Sequence, residues 1–254
     1  MALSPHLLGA GLVAFCIWVI SAQSSLPNVA GHRLSSGFDG RSPQHRIANI
    51  DRLTSDNIPS DTRLHWMQYT TQVLVMAAST CPFIPFATVI VNHTDTKGQG
   101  DLICTGTNSG PSTGNPILHG ETAAITNCTN ILLDPNGRFK LTPSEARAAF
   151  TDFTLYTNAE SCPMCAAAIR WAGLREYVYG TSIEALTKFG WRQIQIPSLE
   201  LFDRSLDLQS PLPSTIGEVD PGATDPLFRW QFDSSVHCPP GCSRSENGAT
   251  CIKA

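Results

Sequence analysis

Apolar and polar positions along this chain switch between two periods, and the switches mark its elements. From Ser60, Leu64, Met67, Thr71, Leu74 and Ala78 fall on one helical stripe, which Val73, Val75, Met76 and Ala77 widen. That spacing predicts a helix packed on a sheet and capped by Ser60 or Asp61. Cys81-Pro82-Phe83-Ile84-Pro85-Phe86 breaks it, and the β-branched run Ala87-Thr88-Val89-Ile90-Val91 reads as a strand. Turn residues over 92–101 separate that strand from its expected hairpin partner, 102–107. A Gly/Ser/Pro loop over 108–116 leads to His119-Gly120-Glu121-Thr122-Ala123-Ala124-Ile125, which opens a helix. Thr142-Pro143-Ser144-Glu145 initiates a short helix running to Phe150. The apolar run Phe153-Thr154-Leu155-Tyr156-Thr157 is a strand, and a helix opens after it at Pro163. Residues 176–181 form another strand, and 183–189 a helix ended by Gly190. Residues 194–201 read as a last strand interrupted by Pro197. One hairpin followed by alternating strands and helices predicts an α/β fold, a three-layer α/β/α sandwich with a mixed central sheet.

The ends of the chain differ from this middle. Residues 7–20 form an apolar run followed by Ser21-Ala22-Gln23-Ser24, the pattern of a secretory signal peptide cleaved near Ala22. Fourteen apolar residues are short for a membrane span, so none is expected in the mature chain. Residues 23–45 read as a linker or pro-segment, 46–208 as the functional domain, and 209–254 as a Pro/Ser-rich and Cys-rich extension. The 254 residues are 42% hydrophobic, 15% charged and carry a formal charge of −4. That size suits one domain with a sizeable core, and the acidity gives no electrostatic reason to expect a nucleic-acid partner.

Nine cysteines agree with an oxidising compartment. Cys16 lies in the signal segment. Cys81, Cys104, Cys128, Cys238, Cys242 and Cys251 form an even set of disulfide candidates with open connectivity. Asn92-His93-Thr94 and Asn127-Cys128-Thr129 are glycosylation acceptors at Asn92 and Asn127. Trp171 has the spacing of a core residue, and His65, His93 and His237 lack partners at metal spacing and read as surface.

The remaining pair, Cys162 and Cys165, sits across a helix start, where thiolates are favoured and both sulfurs can face one point. Alone, such a pair fits a structural or a redox role as well as half a zinc site. His119-Gly120-Glu121 supplies the other half. His119, Cys162 and Cys165 make three protein ligands, which leaves a fourth position for water. Two thiolates offset the charge of Zn2+, so the metal acidifies water less than one held by neutral ligands. A neighbouring carboxylate must then take the proton and return it, and Glu121 is that group.

His-x-Glu combined with Cys-x-x-Cys at two helix starts is the zinc deaminase signature. With the strand at 87–91, Thr107-Asn108 and Cys162-Pro163-Met164-Cys165-Ala166-Ala167-Ala168-Ile169, it resembles the cytidine/deoxycytidylate deaminase superfamily over about 60–205. The resemblance is to the nucleobase and tRNA-adenosine branch, which includes guanine deaminase and fungal cytosine deaminase. It implies zinc on His119, Cys162 and Cys165, proton transfer by Glu121, and substrate contacts from Asn108 and Glu184. It also implies release of ammonia from a small nucleobase or nucleoside of guanine or cytosine type, and an assembly such as a homodimer. Asn108 equally suits a turn beside Gly110, and Glu184 a solvated acid at a helix start. Ser161 and Ala87 stand where the family often has Pro and Gly. Two rivals remain: the same scaffold acting on a pterin or riboflavin-pathway intermediate, and a non-catalytic secreted protein, a binding or effector module stabilised by zinc.

Overall fold

A computed structural model describes residues 58–77, 81–94 and 98–254. The expected signal peptide and the 23–45 linker lie outside the described residues.

Five strands form one mixed sheet in the order β2-β1-β3-β4-β5: β1 (Ala87–Asn92), β2 (Asp101–Thr107), β3 (Phe153–Ala159), β4 (Glu176–Thr181) and β5 (Ser214–Ile216). β1 runs antiparallel to both β2 and β3, while β3, β4 and β5 are parallel. Alternation along the strands divides the core in two. Ile90, Leu155, Tyr177 and Tyr179 face a layer built from α3 (Gly120–Leu133), α4 (Pro143–Ala149), α5 (Pro163–Ala172) and α7 (Ser198–Asp203). Val89, Val91, Tyr156 and Val178 face α1 (Ser60–Ala77) and α8 (Pro221–Arg229) on the other side. Period-two burial on both faces is what a sheet covered twice requires. The predicted three-layer sandwich is therefore the observed fold.

Local signals act as the sequence suggests at several ends. Thr142 and Glu145 form a reciprocal capping box before α4, with Pro143 in its first turn. Gly173 ends α5 in the left-handed region at φ 73°, where glycine has no Cβ penalty. A short α2 (Gly110–Thr113) interrupts the expected 108–116 loop, and α6 (Ile183–Lys188) follows β4.

Several expectations are corrected. The last strand is not at 194–201, where Ser198–Asp203 is helical, but at Ser214–Ile216. The segment from 209 onward thus supplies an edge strand to the sheet and, through Leu227 and Phe228, part of the core. On α1 the buried face is Thr62, Arg63, Trp66, Met67, Thr70, Val73 and Leu74, whereas Leu64, Val75 and Met76 are exposed. The polar members of that face are explained by pairing. Arg63 Nε and Nη2 donate to the two carboxylate oxygens of Glu176 at 3.2 and 2.7 Å, and Nη1 donates to the Ile58 carbonyl. A buried bidentate pair of this kind fixes α1 against the start of β4. α1 starts at Ser60 as expected, but the residue before it, rather than Ser60 or Asp61, closes its first turn, with the Pro59 carbonyl accepting from Thr62 and Arg63.

His93 is buried rather than on the surface, and its Nε2 lies 2.9 Å from the Tyr156 hydroxyl. Burial, with smaller effects of Arg175 and Arg63, holds its pKa down at about 4. Trp171 is 63% exposed instead of in the core. Its neighbour Arg170 takes the buried place, with the guanidinium donating to Ser205, Leu208, Ser210 and Pro211. Those bonds strap residues 205–211 to α5 just before β5.

The six candidate cysteines pair as Cys81–Cys242, Cys104–Cys128 and Cys238–Cys251, and Cys162 and Cys165 stay unpaired. Cys104–Cys128 ties β2 to α3. In the chain-entropy account a loop of its size stabilises by about 3 kcal/mol. The other two pin a small hairpin, β6 (Cys242–Arg244) with β7 (Cys251–Lys253), around Trp230. Among the described residues no helix is long and apolar enough to cross a membrane.

Candidate zinc site

Two helices begin at the same place. His119 is the N-cap of α3 and Cys162 the N-cap of α5, both with extended backbone and neither using its side chain as a cap. Freed from capping, both side chains turn toward each other. Glu121 follows one residue into the first turn of α3, and Cys165 two residues beyond Pro163 on α5. The close fit of α3 on β2 brings the two starts together. Gly106 permits it, because a Cβ there would fall on the Ala124 amide and the Gly120 carbonyl.

The donors fit one zinc ion. Tetrahedral bonds of about 2.3 Å to sulfur and about 2.05 Å to nitrogen put ligand atoms roughly 3.6–3.8 Å apart. His119 Nδ1 lies 3.7 Å from Cys162 Sγ, and the ligand atoms of His119, Cys162 and Cys165 all lie within 4.8 Å of one another. The two thiols already differ in acidity. Cys165 donates to Cys162 and brings its pKa down to about 4, and His119 acts in the same direction. Cys165 is pushed up by that bond, by burial and by Glu121. The hydrogen bond to Cys162 raises His119. The helix N-terminus and the nearby imidazole favour the thiolate at Cys162.

Glu121 is 6% exposed. Its burial raises the carboxyl pKa, and the neighbouring Ser161 acts in the opposite direction. The Ser161 amide donates to Tyr177 Oη at 2.7 Å. A desolvated carboxyl beside a metal site is suited to carrying a proton.

The other predicted residues scatter. Asn108 is half-buried at the end of β2, its amide donating to the Phe86 carbonyl at 3.0 Å and its Oδ1 accepting from Gly110 N at 3.2 Å. The bond from Ser109 N to the Leu118 carbonyl draws this turn next to His119. Asn108 is thus a turn residue placed near the site. Glu184 is not brought to the site, since its side chain is 78% exposed and pairs with Lys188. Asn92 Oδ1 accepts from Thr94 N and Oγ1, and Asn127 Nδ2 donates to the Thr105 carbonyl from within α3. Sequence reasoning passed over Glu160 and Tyr177, which hold the cysteine turn. The available signal for Glu160 was a charged residue set between a strand and the cysteine pair.

The sandwich brings three candidate zinc donors together beside a buried glutamate. Residues 61–181 match the cytidine and deoxycytidylate deaminase zinc-binding region, a span that holds the first four strands and all three ligand residues. The chain is 30% identical over 122 residues to a probable cytosine deaminase of Schizosaccharomyces pombe, covering 48% of this chain and 62% of that protein. It is 33% identical over 95 residues to guanine deaminase of Bacillus subtilis, covering 37% and 49%. The chain therefore spans less than two thirds of the length of either relative. The solved guanine deaminase from Nitrosomonas europaea aligns with 78% of this chain and 97% of its own at 17% identity and a TM-score of 0.46. Over these residues the chain is similar to the cytidine/deoxycytidylate deaminase superfamily.

Proposed function

We propose that the protein is a secreted zinc-dependent hydrolase that removes an exocyclic amine from a nucleobase or nucleoside of guanine or cytosine type and releases ammonia. The observation that carries this reading is the meeting of His119, Cys162 and Cys165 at one point with the buried Glu121 carboxyl against them. Bound zinc would supply an acidified water as nucleophile. The chain's own part is proton handling. Glu121 takes a proton from the water and delivers it to the ring nitrogen, then moves a second proton to the amine. A C–O bond forms, the C–N bond breaks, and ammonia leaves. Asn108 is the proposed substrate contact, supported by the Ser109–Leu118 bond that joins its turn to the residue before His119.

A non-catalytic zinc-stabilised module is disfavoured by two features. A structural site is normally closed by a fourth ligand and needs no buried carboxyl, yet the cluster found among the described residues has three donors. A panel of guanine, adenine, cytosine and their nucleosides, scored for ammonia, tests the choice. Release from at least one is expected, lost with a chelator and restored by zinc. No release from any member supports the binding or effector reading.

Secretion belongs to the same proposal and is supported by the apolar run at 7–20 and three disulfides. In a secreting eukaryotic host the protein is expected in the medium with its N-terminus near residue 23. Unreduced mass mapping should return the three pairs above with Cys162 and Cys165 unlinked. Retention in the cell with the six cysteines reduced would contradict it. The proposal extends to a homodimer through the outer face of α3 and α5. Apart from buried Glu121 and Arg170 those helices carry no charged residue, and Trp171 stands exposed there. Light scattering is expected to give twice the chain mass, and Trp171→Asp to halve it.

A further inference from the structure

Glu160 is a buried carboxylate that the chemistry above does not use. It stands two residues before Cys162 and is 7% exposed. Its amide extends the β3–β4 pairing by donating to the Thr181 carbonyl at 2.7 Å. Among the described residues its side-chain partners are amides and a hydroxyl rather than a cation. Oε2 accepts from Ile183 N at 2.9 Å, and Oε1 accepts from Ser198 N at 2.9 Å and Ser198 Oγ at 2.8 Å. One side chain therefore holds both ends of the segment 184–197. The next residue, Ser161, is fixed through its amide by Tyr177, and the next, Cys162, faces His119. Each residue of the turn is tied to a different part of the fold.

We propose that Glu160 is a positioning residue for the zinc centre. Its carboxylate locks the turn carrying Cys162 to the starts of α6 and α7, so that the first sulfur keeps the spacing from His119 that one zinc requires. The inference rests on the zinc reading above but not on any choice of substrate. Supporting groups of this kind tune metal sites by fixing the backbone and rotamer of the ligand. Glutamine at this position keeps the volume but presents one acceptor oxygen instead of two. Either Ile183 N or Ser198 N then faces an amide donor, and the turn loses one of its anchors.

The test follows zinc release from the loaded protein to a chromophoric chelator, well below the melting temperature. Glu160→Gln is expected to release zinc at least about tenfold faster than wild type, the scale typical of supporting residues around a metal. Ser198→Pro reaches the same joint from the other side. It removes both Ser198 donors and leaves Glu160 intact. Position 198 is the first of its helix, and Pro197 at ψ 148° already suits a following proline. Its expected effect is in the same direction and about threefold, since Ile183 still holds the other oxygen. A purely structural role would lower the melting temperature of both variants and leave zinc release at the wild-type rate, which overturns the proposal. Should Glu160→Gln fail to fold, Ser198→Pro decides alone. Wild-type protein that holds zinc but releases no ammonia would sink the deaminase reading and leave this one standing. Wild-type protein that holds no zinc would sink both.

Discussion

Glu121→Gln is expected to lower turnover of the responsive substrate by about 10³-fold while the protein still holds one zinc. The magnitude is that of a lost general acid–base group. The substitution is nearly isosteric, so it leaves the packing of the α3 start in place. It removes the one property the reaction needs there, the ability to gain and lose a proton. Glu121 is buried beside Cys162 and Cys165, and its burial raises the carboxyl toward the range where a proton is both accepted and returned. Two thiolates would make a bound zinc a weaker acidifier of water, so the carboxyl would carry more of the work than beside neutral ligands. The check is kcat together with metal analysis of the same preparation. Turnover within about tenfold of wild type would mean that another group moves the proton. Loss of zinc along with activity would mean that Glu121 supports the metal instead.

Gly106→Ala is expected to destabilise the protein by about 3 kcal/mol, on the order of 10 °C in Tm, and to weaken zinc binding as well. The added methyl would meet the Ala124 amide and the Gly120 carbonyl, which are backbone atoms and have no rotamer into which to retreat. The first turn of α3 would have to lift from β2, carrying His119 and Glu121 away from the cysteines. Cys104–Cys128 resists that movement, since it ties the same strand to the same helix further along. The strain therefore concentrates at the helix start, where the site is. A melting curve and a chelator competition on one sample measure both effects. An unchanged Tm, within about 2 °C, would show that α3 can slide without cost.

How much of this was legible in the sequence depends on the range of the interaction. The chemistry is written locally. His119 and Glu121 share one helix start, Cys162 and Cys165 another, and spacing alone brings each pair to one end of its helix. The strands at 87–92 and 153–159 were legible because both faces are buried and the residues are β-branched or aromatic. The even cysteine count gave the oxidised set but not the pairing, because connectivity is a property of folded distances.

What failed to show were features whose sense lies in a distant partner. β5 is three residues long and exists through its pairing with β4, so no period announces it. Arg63 and Arg170 are charged, yet one finds Glu176 and the other a ring of carbonyls, which offsets the cost of burial. With Arg170 inward, Trp171 turns outward on the same helix. Glu184 follows β4 closely in sequence but belongs to the solvent side of α6.

The sequence by itself determined the class of fold and put two pairs of candidate site residues, His119 with Glu121 and Cys162 with Cys165, each at one helix start, because each pair rests on residues a few positions apart. Only the tertiary structure decided that the two helix starts meet. That depends on Gly106 admitting α3 to the sheet and on Glu160 and Tyr177 holding the cysteine turn from elements up to 38 residues away. Side chains that close a site across such separations carry no local period or propensity, so they become visible once the chain is folded.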